Sequence, residues 1–331
     1  MKEILEYLFQ HKTLSQTEAK QTLMEIAHGE HNHYQVAAFL TAFLMRNITL
    51  EELKGFQEGL LELCLPVDLS DYQAIDVCGT GGDGKNTFNI STISSFVLAG
   101  AGIPVAKHGN YGVSSVAGSS SVLEFLGLQF TQKEDLLKKQ LEEAHICFLH
   151  APLFHSAMRF VAPIRKELGV KTFFNMLGPL VNPAQPSVQM VGVFSTELAR
   201  MYQYIFQERK NMRYSIIHSL DGFDEISLTN EVKIYSQENE QNIDFQKYGL
   251  KKILPESIHG GDSIAEAAQI FLEVITGKGS EAQNQVVLAN SAVAIQTYYP
   301  QKNFSEAFGM AEDSLFGLKA QDTFYTLKSI Q

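Results

Sequence analysis

The sequence predicts an α/β protein with a helical domain: an N-terminal all-α domain, then a larger α/β domain with a mainly parallel sheet, and a substrate cleft at the hinge. Two observations carry this. Residues 1–66 hold only helical patterns, two of them opened by capping boxes, whereas from Ala74 short apolar runs alternate with helical stretches. A third observation, Pro66 followed by the polar DLSDYQ, marks the joint. The expected boundaries are a helical domain over 1–66, a linker over 67–73 and an α/β domain over 74–331, with part of 150–190 packing on the helical domain.

The N-terminal MKEILEYLFQHK reads as an amphipathic helix with early acidic residues, and not as a signal peptide. Ser15-Gln-Thr-Glu18 and Thr49-Leu-Glu-Glu52 each fit a capping box, placing helix starts near 16 and 50. Between them, Tyr34 to Arg46 is apolar nearly all round, which predicts a helix buried in its domain or at a subunit contact. Strand-like runs follow at Ala74–Cys78, Ile103–Lys107, Ile146–His150, Val188–Phe194, Tyr214–Leu220 and Val232–Tyr235. Helical stretches such as Lys133–Ala144 and Thr196–Arg209 lie between most of them, the alternation that builds a parallel sheet. The C-terminal third turns helical at 262–276, 280–298 and 303–316, with Ser263-Ile-Ala-Glu266 as another capping box.

A chain of 331 residues, 45% hydrophobic, can bury one large or two moderate cores. Its 26 basic against 37 acidic residues give a net charge of −11, which argues against nucleic acid as partner. The three cysteines, Cys64, Cys78 and Cys147, sit far apart in apolar contexts and read as reduced core thiols. The longest small and apolar run, Phe96 to Ala106, is too short to span a bilayer, so no membrane partner is expected and the location is cytoplasmic. His28, His31 and His33 cluster between helices and read as a solvated turn rather than a metal site.

Chemistry concentrates between Asp76 and Gly127, in DVCGTGGDGKNTFNIST and KHGNYGVSSVAGSSSVLEFLG. Two glycine- and hydroxyl-rich loops each follow a predicted strand and open a predicted helix. Helix N-termini present unpaired N–H groups and favour anions, and glycine lets the backbone curl around an oxygen cluster. Two such loops suit a ligand with two phosphate-bearing ends. Further on, Asp224 and Glu225 end a predicted strand as adjacent carboxylates, which repel unless a cation lies between them.

Four blocks in this order resemble the anthranilate phosphoribosyltransferases over nearly the whole chain: Gly79-Thr-Gly-Gly-Asp83 with Asn89-Ile-Ser-Thr92; Lys107-His-Gly-Asn110; Arg165 through Lys171-Thr-Phe-Phe-Asn-Met-Leu-Gly-Pro-Leu180; and Asp224-Glu225. The resemblance implies two substrates, phosphoribosyl pyrophosphate and anthranilate, Mg²⁺ as cofactor at two ions per subunit, and a homodimer formed through the helical domain. It assigns phosphoribosyl pyrophosphate to Gly79, Gly82, Asp83, Thr87, Asn89, Ile90, Ser91 and Thr92 on the first loop, and to Lys107, His108, Gly109, Asn110, Ser114, Ser115 and Ser119 on the second. Anthranilate falls to Gly79, Asn110 and Arg165, the last offering a guanidinium to the carboxylate, and the metal to Ser91, Asp224 and Glu225. No residue is expected to act as a general base.

Two departures stand out. Tyr111-Gly112 follow Lys-His-Gly-Asn where the family usually carries arginine, and Ser120-Ser121 stand where it has alanine and aspartate. Two alternative functions share the fold: a pyrimidine nucleoside phosphorylase-like enzyme, and a non-enzymatic nucleic-acid-binding paralogue. The first should differ around the phosphate site, and the second should carry a basic stripe and degraded metal ligands.

Overall fold

The computed structural model describes residues 1–112 and 116–330. They form two compact units, one of residues 1–67 and 151–183, the other of 68–150 and 184–331.

The first unit begins with α1 (Lys2–Phe9), α2 (Gln16–Ala27), α3 (His33–Ala42) and α4 (Leu50–Glu62). Ser15 caps α2 and Thr49 caps α4, each in a reciprocal box with the glutamate three residues on. Glu52 does more than close its box. Fully buried, it also accepts from Leu14 N–H at 2.9 Å and pairs with Arg46, tying the chain before α2 to the start of α4. Helices α2 and α4 approach closely at Gly55, where a Cβ would stand 2.2 Å from the Gln16 carbonyl oxygen. The α3 helix ends at Ala42, short of Arg46, and buries one face (Val36, Phe39, Leu40). Tyr34 is 88% and Met45 81% exposed, so the segment is not enclosed all round within its unit.

The second unit opens with β1 (Ile75–Gly79), α5 (Ile90–Gly100), β2 (Val105–Gly109), α6 (Ser119–Phe125), α7 (Glu134–Ala144) and β3 (Ile146–His150). Residues 151–183 then complete the first unit with α8 (Ala151–Phe154), α9 (Val161–Leu168) and three 3₁₀ turns, Ser156–Arg159, Phe173–Met176 and Gly178–Val181. Phe173 on the second turn stacks on Phe56 with ring centroids 4.3 Å apart and meets Phe39 and Phe43 edge-on. That aromatic cluster is why this segment belongs with α3 and α4.

The second unit resumes with β4 (Val188–Gly192), α10 (Thr196–Gln207), β5 (Arg213–Ser219), β6 (Val232–Ser236) and β7 (Glu240–Ile243), and ends in α11 (Ile264–Ile275), α12 (Glu281–Tyr298), α13 (Phe304–Phe316) and α14 (Lys319–Ser329). Its seven-stranded sheet runs β3-β2-β1-β4-β5-β6-β7. The first five are parallel, and β6 and β7 add on antiparallel. The central strands are buried along nearly their whole length, as two-sided cover by helices requires. Edge strand β7 (EQNI) is polar and largely exposed, so it carries no apolar alternation to betray it.

The strand order reverses between β1 and β4, and there the two carboxyl ends lie side by side, Gly79 in register with Gly192. Open α/β sheets bind ligands at that switch point.

Candidate active site

Asp224 lies over the switch point. A Cβ on Gly79 would meet its Oδ2 at 2.5 Å, and a Cβ on Gly192 would meet its carbonyl oxygen at 1.5 Å. Both strands end in glycine because this acidic residue occupies the space a side chain would need. Gly79 therefore makes room for a carboxylate of the protein itself, a reason distinct from close approach to a ligand.

The loop after β1 curls around the same carboxylate. Gly81, Gly82 and Gly84 have φ of +62°, +77° and +76°, a region that side-chain-bearing residues avoid. The Gly81 N–H donates to Asp224 Oδ2 at 2.6 Å. Asp83 joins from this loop; its Oδ1 accepts from Lys85 N–H at 3.0 Å, and its buried Oδ2 meets no donor among the described residues. Glu225 reaches the N-terminus of α5, where its Oε1 accepts from Ser91 N–H at 3.2 Å. A distant carboxylate thus occupies this helix end, while Asn89 in the N-cap position makes no side-chain cap and its amide donates to the Ala117 carbonyl at 3.1 Å. That bond joins the first loop to the second. The described residues Gly79, Gly82, Asp83, Thr87, Asn89, Ile90, Ser91, Asp224 and Glu225 line one cavity together with Ala117 and Gly118.

Crowding acidic groups out of water favours their neutral forms. Burial, then Asp83 and Glu225, holds the Asp224 carboxyl well above the usual carboxylate range. Burial lifts Glu225 to about 7, opposed by Lys107 and the Ser91 N–H. A divalent cation would reverse both shifts. Among the described residues no three acidic, histidine or cysteine groups close into a cage made by protein alone. Two or three carboxylates on one side of an open cavity fit Mg²⁺, which completes its octahedron with phosphate oxygens and water.

The other expected residues are placed as follows. Thr92 is buried in the first turn of α5. Lys107 is 2% exposed, beneath the loops, with its Nζ donating to the Val77 carbonyl at 2.6 Å. Burial lowers its pKa, while Asp76, Cys78 and Glu225 hold it up. His108 is buried beside it, donating its N–H to Asp76 at 3.2 Å. Gly109 leaves room for the Phe148 ring, 2.3 Å from where its Cβ would be. Asn110 is exposed, and its carbonyl accepts from Ser120 N–H at 3.1 Å and Ser119 Oγ at 3.4 Å. Ser114 and Ser115 lie outside the described residues.

Tyr111 is anchored where the family pattern has arginine. Its hydroxyl donates to Glu124 at 3.3 Å, and its ring stands edge-on to His150 at 4.9 Å. His150 is held in turn by Ser120 Oγ at 2.8 Å and by the stacked Phe130 ring. Tyr111 N–H donates to Asn110 Oδ1 at 2.8 Å, which engages the acceptor end of that amide and leaves its NH₂ end as the donor.

Arg165 belongs to the first unit. Its guanidinium lies over Phe174 at 5.1 Å, and Nη2 donates to Asn175 Oδ1 at 3.4 Å. Burial lowers its pKa to about 10, and among the described residues it pairs with no carboxylate. Such a guanidinium, held on an aromatic face, is suited to an acidic ligand. His155, upstream, is buried with Nε2 on the Val181 carbonyl at 2.9 Å.

Sequence reasoning missed Gly192, whose role depends on Asp224 packing across the sheet end, and gave Gly81 no role of its own within the glycine block. A lone glycine closing a strand carries no such signal.

A helical unit joined to an α/β unit with an acidic, glycine-lined switch point is the build of a glycosyl-transferring enzyme. Residues 71–320 match the glycosyl transferase family a/b domain, and residues 2–64 match the glycosyl transferase family helical bundle domain. The anthranilate phosphoribosyltransferase of Christiangramia forsetii is 54% identical, covering 100% of this chain and 99% of that protein. The crystal structure of the Thermus thermophilus enzyme of the same name superposes with a TM-score of 0.88 at 30% identity, over 98% of both chains. The Saccharomyces cerevisiae enzyme in complex with phosphoribosyl pyrophosphate and Mg gives 0.88 at 27% identity, over 98% of this chain and 96% of that one. The chain belongs to the anthranilate phosphoribosyltransferase family.

Proposed function

We propose that this protein transfers the phosphoribosyl group of phosphoribosyl pyrophosphate to the amine of anthranilate, releasing pyrophosphate and forming N-(5-phosphoribosyl)anthranilate for tryptophan biosynthesis. The observation that carries the reading is the buried Asp224–Glu225 pair, up-shifted beside the glycine loop at the switch point of a family-matched sheet.

The C1′–O bond to pyrophosphate breaks and a bond from the aniline nitrogen to C1′ forms. The nucleophile is neutral and weakly basic, and it becomes acidic once bonded, so its proton leaves without a dedicated side-chain base. The difficulty is positive charge building on the sugar as a highly charged group departs, as in glycoside cleavage. Asp224 and Glu225, with Ser91 and Asp83 beside them, would hold Mg²⁺, which neutralises the leaving pyrophosphate when bound. Two ions per subunit is the count we favour, because three carboxylates and a pyrophosphate carry more charge than one divalent ion offsets.

The Gly82 region, Thr87, Asn89 and the start of α5 would cradle pyrophosphate and ribose, with the 107–119 loop on the other side. Lys107 would act there through its field from below. Arg165 would pair with the anthranilate carboxylate, Asn110 would donate to both substrates, and Gly79 would give the acceptor room. Fixing both reactants supplies much of the rate.

Exposed Tyr34, Leu44 and Met45 on the helical unit support a homodimer through that unit. No helix is long and apolar enough to cross a membrane among the described residues. Free, buried Cys64, Cys78 and Cys147 fit a reducing cytoplasm.

The test is product analysis. Purified protein with both substrates and Mg²⁺ should form pyrophosphate and phosphoribosyl anthranilate one to one. It should not phosphorolyse thymidine or uridine, nor shift DNA or RNA in a gel at physiological salt. Phosphorolysis without transfer would overturn the reading.

A further inference from the structure

Helix α12 is buried on nearly every side, yet it carries Asn290 at its centre with no exposed surface. A buried amide in a helix interior is unfavourable unless its polar atoms are satisfied. Those of Asn290 are. Its Oδ1 accepts from the Ile226 N–H at 3.0 Å, and its Nδ2 donates to the Ile226 carbonyl at 2.9 Å and to the Val286 carbonyl at 2.9 Å. An N–H can only donate and a carbonyl only accept, so the amide has one orientation that satisfies all three. One side chain therefore grips both backbone groups of the residue next to Glu225.

A second set of bonds holds the same segment from the strand side. Ser219 Oγ donates to the Glu225 carbonyl at 2.6 Å, Ser227 Oγ bonds Ser219 and Thr229, and Thr229 donates to Asp221. The hydroxyl relay and the Asn290 amide thus close on residues 225 and 226 from two sides.

The need for such a grip follows from charge. Adjacent buried carboxylates repel each other and would gain hydration by swinging outward, so the segment holds its place only if its backbone is tethered. We propose that Asn290 is the positioning residue for the metal-binding pair: by fixing the backbone at Ile226 it sets where Asp224 and Glu225 point. This inference rests on the Mg²⁺–phosphoribosyl pyrophosphate reading above.

Asn290→Leu keeps the volume and removes all three bonds, and Asn290→Ala removes the bulk as well. The readout is Mn²⁺ binding in the presence of pyrophosphate, followed by the electron paramagnetic resonance of free Mn²⁺, alongside the Mg²⁺ dependence of turnover. Loss of an outer tether of this kind should weaken Mn²⁺ binding at least about tenfold. The KM for anthranilate should move less than about twofold, because that interaction is untouched. Native Mn²⁺ affinity in a folded variant would overturn the proposal, as would an equal loss in every kinetic parameter. If neither variant folds, amide exchange in the wild-type protein decides: the Ile226 N–H must exchange as slowly as the core amides of α12, and exchange as fast as residues 220–223 would overturn it. Wild-type protein that binds no Mn²⁺ with pyrophosphate would instead sink the functional reading itself.

Discussion

The carbonyl oxygen of Asp224 sits where a side chain on Gly192 would begin, 1.5 Å from the ideal Cβ position. A Cβ on Gly79, in register with Gly192 on the neighbouring strand, would meet chiefly the end of the Asp224 side chain, with Oδ2 at 2.5 Å and the backbone oxygen only at 3.4 Å. The two glycines share one reason for being glycine but differ in what a substitution must displace. Gly192→Ala has to move backbone, so it should lower stability by about 1–3 kcal/mol and also weaken Mg²⁺ activation. Gly79→Ala has to move the Asp224 carboxylate off its bond with the Gly81 N–H but leaves the backbone in place, so it should weaken Mg²⁺ activation with a smaller stability loss. Urea melts and Mg²⁺ titrations of both variants check the contrast.

The double variant Asp224→Asn, Glu225→Gln should lower kcat by about 10²–10³-fold at saturating phosphoribosyl pyrophosphate, the scale of a lost electrostatic stabiliser. It should also relieve the repulsion between the buried acids, so its metal-free form should melt no lower than wild type. Normal turnover would remove these residues from the metal site.

In the metal-free protein Glu225 titrates at about 7 against an ordinary value of 4.5, and Asp224 is raised as well. An acid raised in the folded state leaves that state holding more protons than the unfolded chain, so stability falls as pH rises through the folded pKa. His155, lowered to about 4 by burial, and His150, lowered in the same direction, oppose this below their unfolded value of 6.5. The acidic pair therefore dominates above about 6.5, and EDTA-treated protein should lose stability from there to about pH 8. Glu225→Gln should flatten the slope, and a rise in wild-type stability over that window would contradict the shift.

Arg165→Ala should raise the KM for anthranilate by about ten- to a hundredfold, the worth of a charge-assisted pair, with little change for phosphoribosyl pyrophosphate. Arg165→Lys should recover only part of this, since an ammonium lacks the planar fork and fits the Phe174 face less well. Steady-state kinetics in both substrates separate the cases.

Tyr111 holds the second loop through a ring contact and one hydroxyl bond. Tyr111→Phe should keep the KM for phosphoribosyl pyrophosphate within about twofold, whereas Tyr111→Ala should raise it about two- to tenfold, the range of an aromatic pair. Equal effects of both variants would place the hydroxyl, not the ring, at the centre of the contact.

Much of this was legible along the chain. Capping boxes at Ser15 and Thr49 place α2 and α4 to the residue, because a cap is a local bond between side chain and backbone three positions apart. The glycine loop and the Asp224–Glu225 pair were also legible, since their chemistry is written in adjacent residues. What could not be read depends on contacts across the fold. Edge strand β7 has no apolar pattern, and Phe173 joins a cluster formed by α3 and α4. Gly192 is explained only by a residue 32 positions away (224 − 192), and Asn290 only by Ile226. That Lys107 is buried with its Nζ on the Val77 carbonyl depends likewise on where its strand lies in the sheet.

The account stands most directly on one assay: anthranilate fluorescence followed in purified protein with phosphoribosyl pyrophosphate and Mg²⁺, with and without EDTA. It predicts loss of anthranilate signal that needs both phosphoribosyl pyrophosphate and Mg²⁺ and stops when EDTA is added. A signal that stays constant in the folded, Mg²⁺-loaded protein, or that falls equally with EDTA present, would contradict it.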